Sequence, residues 1–242
     1  MALIEYLFID NGGVLTDNGS RSTHYRRLVG EYFAPRYGGA QAVWEEANAN
    51  TFLPAWSRFL DRVANWTGER DLSRDVWLYH ADWLRILFAA AGVPTPENDD
   101  ACAEIGHASE RWINPQIVTL FPGVEETVSS LASGYRLFTA SDGFSGPLSE
   151  TLAPIAHHFE RLYGPDLVNV PKSSGRRYYD AVFAHAAIDP ARALVLDDNV
   201  PNLIAARESG ARVVYVAKQP DAGFEGPTIA RFADLPGAIE ML

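Results

Sequence analysis

The sequence predicts an α/β protein: a three-layer parallel-sheet core, interrupted after its first strand by an all-helical insertion. Three observations predict it. From residue 115 onward, short apolar runs alternate with helical stretches of about ten residues, the pattern of parallel strands joined by crossover helices. At the other end of the chain, "LIEYLFID" (3–10) is too short to stand alone and must join that sheet. Between the two, residues 17–114 repeat apolar residues at helical spacing and contain all six tryptophans, from Trp44 to Trp112.

Taken in order, "LIEYLFID" reads as a buried strand that ends in a carboxylate, Asp10. "SRSTHYRRLVGEYFAPRYG", "AQAVWEEANANTFLPAWSRFLDRVANW" and "LSRDVWLYHADWLRILFAAAG" read as helices broken by Gly, Pro and Asn, parts of a unit of four or five. After "FPGVEETVSSLASG", "YRLFTAS" is a strand, "RLYGPDLVNV" contains one or two more, and Lys172 follows in the loop after the strand expected at about 166–170. "ALVLD" is a strand, "PNLIAARESGA" a helix and "RVVYVA" a strand, and "PTIARFADLPGAIEML" closes with an edge strand and a helix. Residues 1–16 and 115–242 are therefore expected to form a Rossmann-like core, and residues 17–114 a helical domain. The hinges are expected near Thr16–Asn18 and Asn114–Phe121.

Composition narrows the function. With 47% hydrophobic and 21% charged residues, the chain is an ordinary globular protein. A formal charge of -11 repels phosphate backbones and anionic lipid, so neither nucleic acid nor membrane is an expected partner. A small anionic substrate remains compatible, because a local cation dominates the field inside a pocket. Cys102 is the one cysteine, so no intrachain disulfide forms; it reads as a buried helix residue. The N-terminal apolar run lacks a basic flank and is broken by Asp10, unlike a signal peptide, and a cytoplasmic protein is expected.

In an open parallel sheet, ligands bind beyond the carboxyl ends of the strands. Three strands end in reactive residues: "LFID" delivers Asp10, "LFTASD" delivers Ser141 and Asp142, and "LVLDD" delivers Asp197 and Asp198. Carboxylates brought together repel unless a cation joins them. Magnesium takes oxygen ligands and pairs with one or two carboxylates plus a substrate phosphate. A carboxylate nucleophile can attack phosphorus, with a lysine and a metal neutralising the phosphoryl oxygens. Gly12 and Gly13 after Asp10 let the backbone approach a ligand.

These motifs together resemble the haloacid dehalogenase superfamily, in the subclass with a helical cap inserted after the first motif. "FIDNGGVL" resembles the first motif with Asp10 as nucleophile, and "LFTASDG" the second with Ser141 as phosphate-binding hydroxyl. Lys172 in "VPKSSGRRYYDAVF" takes the place of the third-motif lysine, and "LVLDDNVPNLIAARESGA" resembles the fourth motif. The resemblance implies a magnesium ion held by Asp10, Asp198 and the Gly12 carbonyl, with Asp197 acting through water or as a partner of Lys172. It implies a substrate cradle of Ser141, Asp142, Gly143 and Gly13, and a small phosphorylated metabolite as substrate. Two departures stand out. Gly12 replaces the second Asp of the commoner Asp-x-Asp, the residue that protonates the leaving group, and Asp17, His24 or a cap residue are the candidates to replace it. Ser173 replaces the more usual proline after the lysine.

The expected function is magnesium-dependent hydrolysis of a small phosphomonoester through an aspartyl phosphate at Asp10. Two alternatives stand beside it: metal-independent 2-haloacid dehalogenation, and phosphate binding without turnover, to which Gly12 lends support. His24, His80, His107, His157 and His158 read as solvated or hydrogen-bonded, and the tryptophans as core.

Overall fold

The computed structural model describes residues 3–219 and 221–240. The chain divides into two compact units, Gly19–Val118 and the remainder. The larger unit has the expected layered α/β architecture. Its strands are β1 (Tyr6–Ile9), β2 (Arg136–Ala140), β3 (Phe159–Tyr163), β4 (Ala193–Asp197), β5 (Arg212–Val216) and β6 (Thr228–Ile229). They form one sheet in the order β3-β2-β1-β4-β5-β6, parallel throughout. The winding runs outward from β1 to β3 and then returns across β1 to β4, so the switch point lies between β1 and β4.

Period-two alternation sends the strand side chains into two cores. Leu7, Ile9, Leu137, Leu194 and Leu196 pack on one face with Val124, Val128 and Leu131 of a helix at Val124–Leu131. Tyr6, Phe8, Phe138 and Val195 pack on the other with Tyr178, Tyr179, Val182 and Phe183 of a helix at Arg176–Ala186. There Phe8 stacks on Phe138 with centroids 4.8 Å apart, and Phe183 meets Phe8 edge-on at 5.1 Å.

The segment "RLYGPDLVNV" departs from expectation. It contributes only to β3, and the chain then turns into a single helical turn, Pro165–Val168. Pro165 has no N–H for a ladder and its fixed φ suits the first position of a helix. Asn169, left-handed at φ 53°, ends the turn. Lys172 therefore follows a helical turn rather than a strand, and itself opens a 3-10 turn, Lys172–Ser174. The closing edge strand is only two residues long, and a helix at Leu235–Ile239 follows; the last two residues of "PTIARFADLPGAIEML" lie outside the described residues.

The smaller unit is helical, built on α1 (Asn18–Tyr37), α2 (Gln41–Val63), α3 (Leu72–Ala90) and α4 (Asp99–Ile113). Asp71 and Asn98 cap α3 and α4 by accepting from the N–H groups of Ser73 and Ala101. Trp44 and Trp83 are fully buried: Phe33 stacks on Trp44 at 5.1 Å, and Trp83 Nε1 donates to Asn48 Oδ1 at 3.1 Å. No helix among the described residues is long and apolar enough to cross a membrane.

A charged staple joins α3 to α4. His80, buried, has the Val76 carbonyl 2.8 Å from Nδ1 and the Glu110 carboxylate 2.8 Å from Nε2. Both partners are acceptors, so the ring satisfies both only as imidazolium. Burial alone would lower its pKa; the attraction and hydrogen bond of Glu110 outweigh that and raise it. Burial, with the charge of His80, pushes neighbouring His107 down to about 4, so this second ring stays neutral, 3.9 Å from the first. A raised folded-state pKa adds stability that is complete below the free imidazole value of about 6.5 and is lost as pH rises through the folded value. The advantage of the wild-type chain over His80→Gln in urea midpoint is therefore expected to be full at pH 6 and to shrink toward pH 9. Urea titrations across that range check it; a constant difference would show a neutral His80.

Candidate active site

The sheet register sets the site. Ile9 pairs with Thr139 on one side and Leu196 on the other, so the next residues, Asp10, Ala140 and Asp197, come to one level. At that level lies the Lys172 ammonium, 1% exposed, with three acceptors: Asp10 Oδ1 at 2.8 Å, Asp197 Oδ2 at 2.7 Å and the Ala140 carbonyl at 2.7 Å. Three N–H groups meet three acceptors, the full donor capacity of a lysine.

Asp197 is held further. Its Oδ1 accepts from the Asn199 N–H at 2.8 Å, and Asn202 Nδ2 lies 3.2 Å from both of its oxygens. Asn199 also caps the helix at Val200–Glu208, its Oδ1 accepting from Asn202 N–H. Asp198, exposed, lies against Gly13 rather than against Lys172. One oxygen from each of Asp10, Asp197 and Asp198 falls within a group spanning 4.8 Å.

The two glycines after Asp10 are explained by what lies against them. The loop is tight: the Asn11 carbonyl accepts from Leu15 and Thr16 N–H groups at 2.9 Å, and Gly13 N–H donates to the Thr16 carbonyl at 2.8 Å. Gly13 has φ +84°, and a Cβ there would fall 1.9 Å from Asp198 Oδ2. A Cβ at Gly12 would fall 2.7 Å from Asn18 Oδ1 and 3.1 Å from its Nδ2. Each glycine makes room for a polar side chain, one a carboxylate and the other an amide. Because the Gly13 N–H is engaged by Thr16, what Gly13 contributes is space rather than a free donor.

Beyond β2, Ser141 is buried; its Oγ accepts from Gly143 N–H at 3.1 Å, and its carbonyl accepts from the Tyr178 hydroxyl at 3.3 Å. Asp142 is exposed and makes no hydrogen bond to the described residues. The loop is seated against the one after β3, where a Cβ on Gly164 would fall 2.2 Å from the Gly143 carbonyl. In "GRRYY" it is the tyrosines that turn inward, whereas Arg176 and Arg177 are exposed. Tyr178, Asn199 and Asn18 have no distinctive sequence signal. Only the approach of Ser141, Asp197 and Gly12 gives them neighbours to act on.

Electrostatically the site holds too much negative charge. Burial pushes Asp10 up to about 8 against the pull of Lys172, and the charge of Asp197 adds to it. Enclosure of the Asp198 carboxylate, then the charge of Asp197, raises Asp198 as well. Burial would lower Lys172, but Asp10 and Asp197 outweigh it and hold the ammonium well above its usual range. One cation faces three carboxylates. A donor set made only of oxygens and short of positive charge suits a hard divalent cation.

A family model described as haloacid dehalogenase-like hydrolase matches residues 4–210. The chain belongs to this family. Among curated proteins, this hydrolase is 30% identical over 139 residues to a phosphoglycolate phosphatase of Caulobacter vibrioides, covering 54% of the chain and 56% of that protein. The match thus spans about half the length of that relative. Among solved structures, the defluorinating L-2-haloacid dehalogenase Rha0230 superposes with a TM-score of 0.72 at 15% identity, over 98% of this chain and 95% of that one. The magnesium-bound HAD-hydrolase YfnB of Bacillus subtilis gives 0.68 at 14% identity, over 98% and 99%. At such identities the likeness establishes the fold shared across the family.

Two outcomes test this geometry. Gly13→Ala adds a methyl where Asp198 now lies and places Ala at a left-handed φ, costing about 1–2 kcal/mol. Displacement of Asp198 is expected to weaken divalent-cation binding about tenfold or more, read by calorimetric titration. Lys172→Met leaves Asp10 and Asp197 buried without their cation, and is expected to lower stability at pH 7 by about 3–5 kcal/mol. In that variant the carboxylates titrate above their unfolded values, so urea melts should show the deficit shrinking on acidification.

Proposed function

We propose that this hydrolase is a magnesium-dependent phosphatase acting on a small phosphomonoester through an aspartyl phosphate at Asp10. The observation that carries the reading is the cluster of Asp10, Asp197 and Asp198 around one ammonium, with Gly13 shaped to admit Asp198. Attack on carbon with loss of halide brings no phosphoryl charge to the nucleophile and so calls for no cation beyond the ammonium. A phosphoryl group, itself an anion, requires a cation beside the nucleophile. The curated phosphatase relative supports the same choice.

The donors fit magnesium, with Asp10 and Asp198 as direct ligands and Asp197 and the Gly12 carbonyl as further oxygens of the site. When bound, the ion would supply charge neutralisation of the phosphoryl oxygens. The protein's own groups do the rest. Lys172 fixes Asp10 by its Oδ1, and Oδ2, which has no hydrogen-bond partner among the described residues, is the nucleophilic oxygen. Its attack forms an O–P bond to Asp10 and breaks the ester P–O bond, and the departing oxygen takes up a proton. Water then attacks phosphorus, releasing inorganic phosphate and restoring the carboxylate. Ser141, whose Oγ accepts from Gly143 N–H, has its own hydroxyl hydrogen left for a phosphoryl oxygen, and Asp142 and Gly143 shape the loop around it.

Phosphate release from a panel of phosphorylated metabolites, with Mg²⁺, with EDTA and with Asp10→Asn, tests the reading. Turnover is expected to vanish in EDTA and to fall about 10³-fold or more without the nucleophile. Halide release from a 2-haloacid in EDTA would replace this reading with dehalogenation. Tight phosphate binding without turnover of any ester would replace it with a binding function.

A further inference from the structure

The ester of a simple alcohol leaves as a strongly basic alkoxide, so its oxygen needs a proton as the P–O bond breaks. Position 12 carries no side chain, and Lys172 has all three N–H groups engaged by Asp10, Asp197 and Ala140. Asp197 is tied to Lys172, Asn199 and Asn202, and Asp198 lies against Gly13 within the carboxylate cluster. Asp142 is committed to none of these duties. It directly follows Ser141 beyond β2, the strand whose Ala140 carbonyl accepts from Lys172. It is exposed and forms no hydrogen bond or ion pair with the described residues. It is nonetheless close: its charge raises Asp10, and Lys172 and Asp197 act on it in turn.

Two physical demands select Asp142. Displacement at phosphorus sets the attacking and departing oxygens roughly in line, on opposite sides of the phosphoryl group. Asp10 is buried, so the departing oxygen leaves on the solvent side, where Asp142 is exposed. Charge makes the second demand. An ionised carboxylate next to Ser141 would repel the phosphoryl oxygens, whereas a protonated one adds no charge and has a hydrogen to give. Although the residue reaches solvent, the protein crowding its carboxyl dehydrates it and raises its pKa, against the pull of Lys172 and with the charge of Asp197.

Resting on the phosphatase reading, we infer that Asp142 is the general acid and base of the reaction, so that esters of simple alcohols are substrates. As the ester P–O bond breaks, the Asp142 carboxyl gives its proton to the departing oxygen and becomes a carboxylate. It then takes a proton from the water that attacks phosphorus of the aspartyl phosphate. Inorganic phosphate departs, and both Asp10 and Asp142 return to their starting states.

The test is a series of aryl and alkyl phosphates, with Mg²⁺, for which log kcat/KM is plotted against leaving-group pKa. The wild-type chain is expected to give a shallow slope, because protonation offsets the basicity of the departing oxygen. Asp142→Asn removes the acid and keeps the shape of an exposed, unpartnered side chain, so its urea midpoint is expected to match the wild type. It is expected to steepen the slope. Alkyl phosphates lose about 10²–10⁴-fold, and the loss shrinks as the leaving group grows more acidic. On the most acidic phenol, a burst of phenol release is expected to precede slow turnover, because hydrolysis of the aspartyl phosphate then lacks its base. Asp142→Glu is expected to restore part of the shallow slope. A residue with only a structural role would shift all substrates alike. A steep wild-type slope, a slope unchanged in Asp142→Asn or an equal loss on every ester overturns the inference and leaves the phosphatase standing. Turnover of the phenol ester by Asp142→Asn without a burst overturns the role as base. No phosphate release from any ester overturns the phosphatase reading, and this inference with it.

Discussion

One buried ammonium organises the site. Lys172 joins the end of β1 through Asp10, the end of β2 through the Ala140 carbonyl and the end of β4 through Asp197, three points far apart in sequence. A lysine so deeply buried is tolerated only because every N–H finds an acceptor and two of those acceptors are anions. The same contacts orient Asp10 by one oxygen and leave the other without a hydrogen-bond partner among the described residues. In the proposed reaction that asymmetry turns a strand-ending carboxylate into a directed nucleophile.

The pair Gly12–Gly13 answers to a different demand. Both residues lie in a loop closed by the Asn11 carbonyl and Thr16, and both are small because other side chains occupy the space beside them. Asp198 fills the space at Gly13 and brings a third carboxylate to the cluster. Asn18 fills the space at Gly12 with a neutral amide. The glycines therefore do more than relax the backbone: they decide which side chains, borrowed from elsewhere in the chain, stand against the loop that follows Asp10.

The family's frame serves both attack on carbon and attack on phosphorus, so likeness of fold leaves the chemistry open. The solved relatives include haloacid dehalogenases and a magnesium-bound hydrolase on the same architecture. What separates the two chemistries is charge around the nucleophile. Here three carboxylates compete for one ammonium, and desolvation, with the charge of Asp197 added to it, raises Asp10 and Asp198. A phosphoryl ligand would make that imbalance worse unless a divalent cation came with it, and this requirement favours the phosphatase.

The layered α/β class, the helical insertion and the burial of Trp44 and Trp83 were legible in the sequence, because apolar periodicity is a local property that each segment carries by itself. Asp10, Ser141, Lys172 and the Asp197–Asp198 pair were legible as candidates because each lies at or beyond the end of an apolar run, and a parallel sheet collects such ends. Residues 166–170 read as strand in the sequence, through Val168 and Val170, but Pro165 starts a helical turn and Asn169 closes it. Tyr178, Asn199 and Asn18 were invisible as site residues, since nothing local distinguishes them from an ordinary core tyrosine, a helix cap and a turn asparagine. Only the tertiary structure decided that Lys172 would be saturated by three acceptors and that Asn18 would occupy the space beside Gly12. Both depend on distances between segments remote in sequence, which periodicity and composition do not encode.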